Sequence, residues 1–258
     1  MKQRQGFQVA GLIIGIIVVA LLGFATFMVI DGNNKAVDYN KYDFYSIIEP
    51  SKDNGNIGDH VKGSPDAPVV IFEYADFQCP GCASINPKVN KAIEELDGKL
   101  AVVYRNHLLS YHKNGTAAAS AAEAASLQSD SDGKSYWKPY TDKLFAEQAE
   151  WEYATGSERT ALFEKYFTEV TDGQGDLDKF RTDVAGADVS QKISFDMGIG
   201  RHIDIEATPA FFVDGQLIKW SDAGELTFSN GETVTWDSSQ GGDNFVKLLK
   251  RIVEAKTK

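Results

Sequence analysis

The pattern of apolar and polar positions begins with a long uncharged stretch over residues 9–30. At about 1.5 Å per residue, a helix of this length can cross a hydrocarbon core of about 30 Å. Lys2 and Arg4 precede the stretch, and positive charges usually stay on the cytoplasmic side of a membrane. We therefore predict a cytoplasmic N-terminus over residues 1–8, a single transmembrane anchor and an extracytoplasmic remainder.

A cleaved signal peptide is the alternative to an anchor. Signal peptides usually have an apolar region of about 7–15 residues followed by a small-x-small cleavage site. The stretch here is longer, although Gly23 and Ala25 leave cleavage open. With the bulk of the chain outside, its cysteines lie in a compartment where disulfides persist.

The next segment, residues 31–58, mixes polar residues with little periodicity, which is typical of a linker. Such a linker would hold the following domain away from the membrane. Its aromatic side chains could instead pack on the domain. They are Tyr39, Tyr42, Phe44 and Tyr45.

A buried strand is predicted over Val69–Ala75, where β-branched and aromatic residues dominate. From Cys79 to Gly98 the apolar residues recur at helical spacing, so Cys79 lies at the start of a helix. Leu100–Tyr104 then resembles a second strand. The helix-spaced positions are Ile85, Val89, Ala92, Ile93 and Leu96.

The pattern is helical across residues 111–190, which predicts an all-α insertion. Asp172–Gly175 interrupts it with turn-forming residues. A further helix is predicted over Val189–Ile199. Within the insertion the predicted helices are Thr116–Leu127, Tyr136–Trp151 and Ser157–Val170.

Strands return after the insertion. Ala210–Val213 and Gln216–Ile218 are joined by the turn signal Asp214-Gly215. A second hairpin is predicted over Leu226–Trp236, around Asn230-Gly231. The last element is an amphipathic helix, Phe245–Ala255, with an apolar face of Val246, Leu249, Ile252 and Val253.

Composition and charge narrow the classes of function. A chain with 43% hydrophobic and 24% charged residues is an ordinary globular protein with a sizeable core. The net charge of -11 argues against a nucleic-acid-binding protein, because neutralising phosphates needs clustered Lys and Arg. An acidic surface mainly serves solubility.

The chain has two cysteines, Cys79 and Cys82, which must act with each other or with a partner. A thiolate is the nucleophile in disulfide exchange, and the unpaired N–H groups at a helix N-terminus stabilise it. Cys82 lies one turn further along, where it can close a disulfide with Cys79 or resolve a mixed disulfide. Pro80 suits the first turn, where a missing N–H is no loss.

Two other uses of the cysteine pair stay open. Zinc would need a second pair of ligands, and the histidines lack the usual His-x₃₋₅-His spacing apart from one weak pair, His107 and His112. A purely structural disulfide would close so short a loop that it constrains the unfolded chain little. The histidines are His60, His107, His112 and His202.

Four stretches of the sequence form a recognisable set: Asp59–Pro68, Asp76–Gln78, Cys79–Cys82 and Thr208–Gly215. With them the chain resembles the DsbA-like thiol-disulfide oxidoreductases, particularly the membrane-anchored forms of Gram-positive-type cells. The resemblance covers about residues 59–220 and the last helix. It implies an α/β fold of thioredoxin type, made of residues 59–110 and 191–258 and split by the all-helical insertion 111–190.

The resemblance also assigns roles to five residues. Cys79 resembles the attacking cysteine and Cys82 the buried resolving one. Pro209 resembles a cis-proline that faces the disulfide, with Thr208 just before it. We therefore predict a cis Thr208-Pro209 bond in contact with the cysteines, although only about 5–6% of X-Pro bonds are cis. Glu73 resembles an acid beneath the active site that helps to move protons; a strand carboxylate that faces solvent or pairs with a lysine is the alternative.

Gly81 departs from the family pattern, since strongly oxidising relatives carry histidine at this position. A glycine offers the thiolate neither a charge nor a side-chain hydrogen bond. A change of 30 mV corresponds to about 1.4 kcal/mol, so one such interaction matters to the redox equilibrium. The direction of the redox chemistry is therefore open.

The predicted function is an extracytoplasmic dithiol oxidase that introduces disulfides into exported proteins through Cys79 and Cys82, without a cofactor. Its partners would be the thiols of exported proteins and a membrane oxidant that regenerates the disulfide. The alternatives are an isomerase or reductase kept reduced by a transmembrane donor, and a non-catalytic surface protein that docks through its helical insertion. A calcium site is a further hypothesis, but no run matches an EF-hand loop, and a solvated acidic surface is favoured.

Overall fold

The computed structural model describes residues 36–237 and 244–258. The predicted anchor, residues 9–30, lies outside them. Within the described ranges, no helix has both the length and the apolar composition needed to cross a bilayer. The residues Tyr39–Lys258 form one compact unit, which contains all the elements below.

A five-stranded mixed sheet forms the centre of this unit, in the order β1-β3-β2-β4-β5. The two central strands, β2 and β3, run parallel, and every other neighbouring pair is antiparallel. A separate hairpin pairs β6 with β7. The strands are β1 His60–Gly63, β2 Val69–Ala75, β3 Leu100–Asn106, β4 Ala210–Val213, β5 Gln216–Ile218, β6 Gly224–Thr227 and β7 Thr233–Trp236.

Helix α1 connects the two parallel strands, and six further helices fill the chain between β3 and β4. Two short 3-10 helices, Tyr39–Lys41 and Lys52–Asn54, precede the sheet. The α-helices are α1 Pro80–Leu96, α2 Gly115–Ser126, α3 Trp137–Ala146, α4 Gln148–Trp151, α5 Gly156–Val170, α6 Leu177–Val184, α7 Ala187–His202 and α8 Phe245–Lys256.

Two apolar clusters cover the sheet. The first joins β2 and β3 to α1, the β6–β7 hairpin and the amphipathic α8. The second joins Tyr104 of β3 and both cysteines to the Ala-rich α2 and the aromatic side chains of the insertion. Because both faces are covered, almost every residue of β2 and β3 is buried. The cysteines therefore lie where the sheet domain meets the insertion.

Most predicted elements are present, with three differences. Strand β1 was not predicted, because its short sequence carries a buried lysine, Lys62, and lacks an apolar run. The helix predicted over Tyr136–Trp151 is broken at Glu147 into α3 and α4. Helix α6 was not predicted either, since Phe180 is its one buried residue and a single anchor gives no periodicity.

The linker predicted over residues 31–58 is wrong from Tyr39 onward. The ring of Tyr39 stacks on Phe195 of α7 with the centroids 5.7 Å apart. The guanidinium of Arg105, in β3, donates hydrogen bonds to the carbonyl oxygens of Phe44 and Ser46. Aromatic burial and backbone pairing thus hold this segment on the domain, which is the alternative that its aromatic residues suggested.

Candidate active site

The Cys-Pro-Gly-Cys segment lies at the junction between β2 and α1. Cys79 is the N-cap residue of α1, with extended dihedral angles, and Pro80 occupies the first turn. The Cys79 N–H donates to the carbonyl of Asp76 at 3.0 Å, which closes the turn that leads out of the strand. The thiol is thereby placed at the positive end of the helix dipole, as predicted.

Buried side chains fix the turn that precedes Cys79. Asp76 is fully buried, and its carboxylate accepts from the backbone N–H groups of Gln78 and Leu109, each at 2.8 Å. His112 Nδ1 lies 2.8 Å from the same carboxylate. The Gln148 amide, on α4, donates to the carbonyl oxygen of Cys79 at 3.1 Å. The insertion therefore holds the backbone of the nucleophile.

The environment of Cys79 favours its thiolate. Both cysteines are free thiols in this structure. A hydrogen bond from the Cys82 side chain, together with bonds from Thr208 and the N–H groups of Cys82 and Gly81, lowers the pKa of Cys79 to about 5, although burial opposes this shift. At neutral pH Cys79 is therefore a thiolate whenever it is reduced.

The Thr208-Pro209 bond is cis and faces the cysteines, which confirms the prediction. The Cys79 Sγ lies 3.2 Å from the carbonyl oxygen of Thr208. A Cβ placed on Gly81 would lie 3.2 Å from Pro209 Cδ and 3.6 Å from Cys79 Sγ, so these residues are in close contact. The Trp220 indole N–H donates to the carbonyl of Pro209 at 3.2 Å and fixes its orientation.

Cys82 and Glu73 lie below Cys79 and are both fully buried. Burial raises the pKa of Cys82 well above its usual value, and the nearby Glu73 carboxylate adds to the shift. Burial also raises the pKa of Glu73, with the Lys62 ammonium opposing. Neither carboxylate oxygen of Glu73 has a hydrogen-bond partner among the described residues. Glu73 therefore does not face solvent. Its carboxylate is free to exchange a proton with the Cys82 thiol.

Three residues that the sequence analysis missed continue from Glu73 towards the insertion. Lys62 is fully buried, and its ammonium donates to Asn86 Oδ1. The Asn86 amide donates to Asp142 Oδ1, on α3, at 2.9 Å. They lie on three separate elements, and the one signal in the sequence is the lysine in a short strand.

A groove of about 490 Å³ adjoins Pro209. Its apolar walls include Phe212, Leu217 and Trp220, and Leu217 is one of the exposed large apolar side chains. Charged side chains also line the groove, among them Asp204, Glu206 and Lys219, so it presents both apolar and polar groups beside Pro209.

The residues that the structure describes contain no cluster of side chains arranged to bind a metal ion. There, no three His, Cys, Asp or Glu side chains are grouped so that they could hold a metal ion. The second pair of ligands that zinc at Cys79 and Cys82 would require is absent from these residues.

Comparisons with known proteins agree with this geometry. A family model described as thioredoxin matches residues 55–227. The chain is 27% identical over 182 residues to the probable disulfide bond formation protein D of Bacillus cereus, covering 67% of this chain and 80% of that protein. It is 32% identical over 161 residues to the Na(+)/H(+) antiporter NhaA 1 of Mycolicibacterium gilvum, covering 61% of this chain. The match spans 24% of that antiporter's length.

A solved structure shows the same fold. Oxidised BdbD from Bacillus subtilis superimposes with a TM-score of 0.56 at 21% identity, covering 82% of this chain and 97% of that one. The predicted thioredoxin-like fold with a helical insertion, and the resemblance to the DsbA-like proteins, are confirmed. Since the family match spans more than half of the sequence, the chain belongs to the thioredoxin family.

Proposed function

We propose that this protein is a membrane-anchored, extracytoplasmic dithiol oxidase that introduces disulfides into exported proteins through Cys79 and Cys82. The observation that carries the proposal is the contrast between the two sulfurs. Cys79 has a pKa of about 5, whereas the pKa of the buried Cys82 is raised far above its usual value. Cys79 is thus a good leaving group when a second substrate thiolate resolves the mixed disulfide, whereas Cys82 must take up a proton after it is displaced.

The reaction begins with the Cys79–Cys82 disulfide. A substrate thiolate attacks the Cys79 sulfur, the disulfide breaks, and Cys82 leaves as a thiolate that takes up a proton. Glu73, in its carboxyl form, is the buried acid beside it. A second substrate thiolate then attacks the substrate sulfur of the mixed disulfide. Cys79 leaves as a stabilised thiolate, and two electrons have passed from the substrate to the cysteine pair.

The low pKa of Cys79 also supports the oxidising direction. A stabilised thiolate lowers the free energy of the reduced protein, and this makes the disulfide a stronger oxidant. The hydrogen bonds from Cys82 and Thr208 provide that stabilisation without the histidine that Gly81 replaces. A membrane oxidant is then needed to regenerate the disulfide after each cycle.

The reduction potential of the Cys79/Cys82 couple tests the direction. We expect a value near that of DsbA, about -120 mV, when the protein is equilibrated with glutathione redox buffers. A value near that of thioredoxin, about -270 mV, would reject the oxidase and favour the reductase. A Cys79→Ser protein that still supports the physiological role would instead favour the non-catalytic surface protein.

Protease accessibility tests the location. Lys2 and Arg4 before the apolar stretch support an N-terminus in the cytoplasm. We expect protease added to intact protoplasts to digest the domain. Complete protection, with digestion after lysis as the control, would contradict the topology.

A further inference from the structure

The charges beneath Cys82 do not end at Glu73. The buried Lys62 ammonium lies over the rings of Tyr104 and Trp137, 5.9 and 5.8 Å from their centroids. It is joined through the side chain of Asn86 to Asp142 of α3. A line of polar groups thus leads from the redox core into the helical insertion.

Asp142 is held in place as an anion at the edge of the protein. Its Oδ1 accepts from Asn86 at 2.9 Å and from Asn90 at 2.8 Å, and its Oδ2 accepts from Lys138 at 2.7 Å. Burial opposes its ionisation, but these bonds and the Lys62 charge lower the pKa of Asp142. Its side chain is 29% exposed, so the line begins at solvent.

The ammonium of Lys62 depends on its anionic neighbours. Complete burial lowers the pKa of Lys62, and the carboxylates of Glu73 and Asp142 oppose this. An ammonium that loses one of two such neighbours in a buried site releases its proton more readily. Asp142 therefore helps to keep the charge that faces Glu73.

We propose that Asp142 is a positioning residue for the redox reaction, which acts through Asn86 and Lys62 to keep Glu73 ionised for proton transfer with Cys82. The inference rests on the proposed exchange at Cys79 and Cys82 and concerns the step in which the Cys82 thiol loses its proton and the disulfide closes. It gives the helical insertion a part in the chemistry as well as in the support of the backbone.

Proton transfer is needed when reduced protein closes its disulfide. The Cys82 thiol passes its proton to the Glu73 carboxylate, and the thiolate attacks the Cys79 sulfur of a mixed disulfide. The Cys79–Cys82 bond forms, and the outer thiol leaves as a thiolate. The charged and titratable groups that act on Glu73 and Cys82 are Lys62 of β1, Tyr104 of β3, Cys79 at the start of α1 and Asp142 of α3, and Lys138 of α3 acts in turn on Lys62.

Two effects of Asp142 on Glu73 have opposite signs. Its own charge raises the pKa of Glu73, and the Lys62 ammonium that it supports lowers that pKa. The lysine has the larger effect of the two. Loss of the Asp142 charge lowers the pKa of Glu73 directly, but if Lys62 then releases its proton, the larger lysine effect is lost and the pKa of Glu73 rises. The proposed route therefore predicts that the rise of the Cys82 reaction rate moves to higher pH, whereas the direct effect alone would move it to lower pH.

The aromatic disulfide dithiobis(nitrobenzoate) separates the two steps. Added to reduced protein, it releases one coloured thiol when Cys79 attacks and a second when Cys82 attacks the mixed disulfide. In Asp142→Asn the amide oxygen can keep the bonds from Asn86 and Asn90, so the charge is the main change. We expect the second release to slow about tenfold at pH values below the pKa of Glu73, as for a base shifted by one pKa unit, with the first release unchanged.

Asp183→Asn is the matched control. Asp183 also forms an i,i+4 pair with a lysine, Lys179, on a helix of the insertion, but it has no place in this line. It should leave both releases unchanged. In a Lys62→Met background the route through Lys62 is absent, so Asp142→Asn should not slow the second release. The direct effect of the Asp142 charge, which raises the pKa of Glu73, would then be lost and would move the rise of the rate to lower pH.

The outcomes separate this inference from the proposed function. An unchanged second release in folded Asp142→Asn, or a rise that moves to lower pH, would overturn the role of Asp142. A full effect of Asp142→Asn in the Lys62→Met background would overturn the route. Wild-type protein that failed to release both thiols would reject the exchange chemistry itself, whatever Asp142 does.

Discussion

Two groups of buried charges lie at neighbouring positions of the central strands, one around Glu73 and one around Arg105, and they differ in how fully they are hydrogen-bonded. Register pairs Glu73 with Tyr104 and Tyr74 with Arg105, and successive residues of a strand point to opposite faces. On one side, both oxygens of Glu73 lack a hydrogen-bond partner among the described residues. On the other, the Arg105 guanidinium donates to Asp59, Tyr74 and the carbonyls of Phe44 and Ser46.

This difference separates a structural group of charges from a reactive one. The Arg105 group continues to Lys192, whose ammonium donates to Asp196 at 2.8 Å. The Arg105 guanidinium is paired with Asp59 and hydrogen-bonded to its neighbours, so this group has no free acceptor for a proton. A buried carboxylate without partners is costly, and such groups concentrate where chemistry needs a shifted pKa. The Arg105 group is therefore built to stabilise the fold, whereas the unsatisfied carboxylate of Glu73 fits the proton-transfer role proposed for it.

The largest effect on the free energy of unfolding should come from breaking the hydrogen-bonded group around Arg105. Asp59→Asn leaves the Arg105 charge buried without its ionic partner, so we expect the free energy of unfolding to fall by about 3–5 kcal/mol in urea denaturation. The exposed pair broken by Asp183→Asn should cost less than about 1 kcal/mol. Similar small losses in both variants would mean that the Asp59–Arg105 pair does not stabilise the fold.

The two groups should also give opposite pH dependences of stability. Asp59 has a lowered pKa through Arg105 and Lys192, although burial opposes it, so its contribution is present above about pH 3.9 and is lost as the pH falls through its folded value. Burial raises the pKa of Glu73, so ionising it lowers stability as the pH rises through its folded value. Unfolding curves of Asp59→Asn and Glu73→Gln against wild type should show these slopes. Equal slopes for the two variants would contradict the comparison.

Glu73→Gln should separate reactivity from stability. A residue that takes the Cys82 proton contributes about a hundredfold to the rate. We therefore expect a loss of that order in the rate at which Cys82 attacks a mixed disulfide at Cys79 and releases the outer thiol. Removing an unpaired buried carboxyl should leave the free energy of unfolding near neutral pH equal to or above that of wild type. Unchanged exchange rates across the pH range would show that Glu73 has no part in proton transfer.

The smallest effect concerns another partnerless atom near the cysteines. Thr208 Oγ1 is buried and has no hydrogen-bond partner among the described residues while Cys79 is a thiol, so its O–H is free to donate to the Cys79 thiolate and thereby to lower the pKa of Cys79. Thr208→Val should raise that pKa by about 1 unit, since a hydrogen bond to a charged group contributes about 1.5–3 kcal/mol. Thiolate absorbance measured against pH would show it. A pKa that stayed at the wild-type value would leave Cys82 and the helix N-terminus as the sufficient cause.

Much of the site could be predicted because its signals are contiguous in the sequence. The strand Val69–Ala75, the cysteines that follow it and the Thr208-Pro209 dipeptide each carry a local pattern. The position of Cys79 at the start of a helix follows from that pattern alone. The cis bond needed the family resemblance, because the general frequency of X-Pro bonds favours trans.

Other features depend on contacts between residues that are distant in the chain. Lys62, Asn86 and Asp142 each belong to an unremarkable stretch of sequence, and they meet because the insertion packs back on α1 and β1. Residues 39–58 have a linker's composition, yet Arg105 and the ring of Phe195 hold them on the domain.

The sequence by itself determined the redox pair and most of the helices and strands, since helix and strand periodicity and the Cys-Pro-Gly-Cys motif act over a few neighbouring residues, and the family resemblance added the fold type. The tertiary structure alone decided which charges are buried, which of them are satisfied and how the insertion reaches the site. The physical reason is that a pKa depends on burial and on charges a few ångströms away. Those neighbours come from segments that only the folded chain brings together.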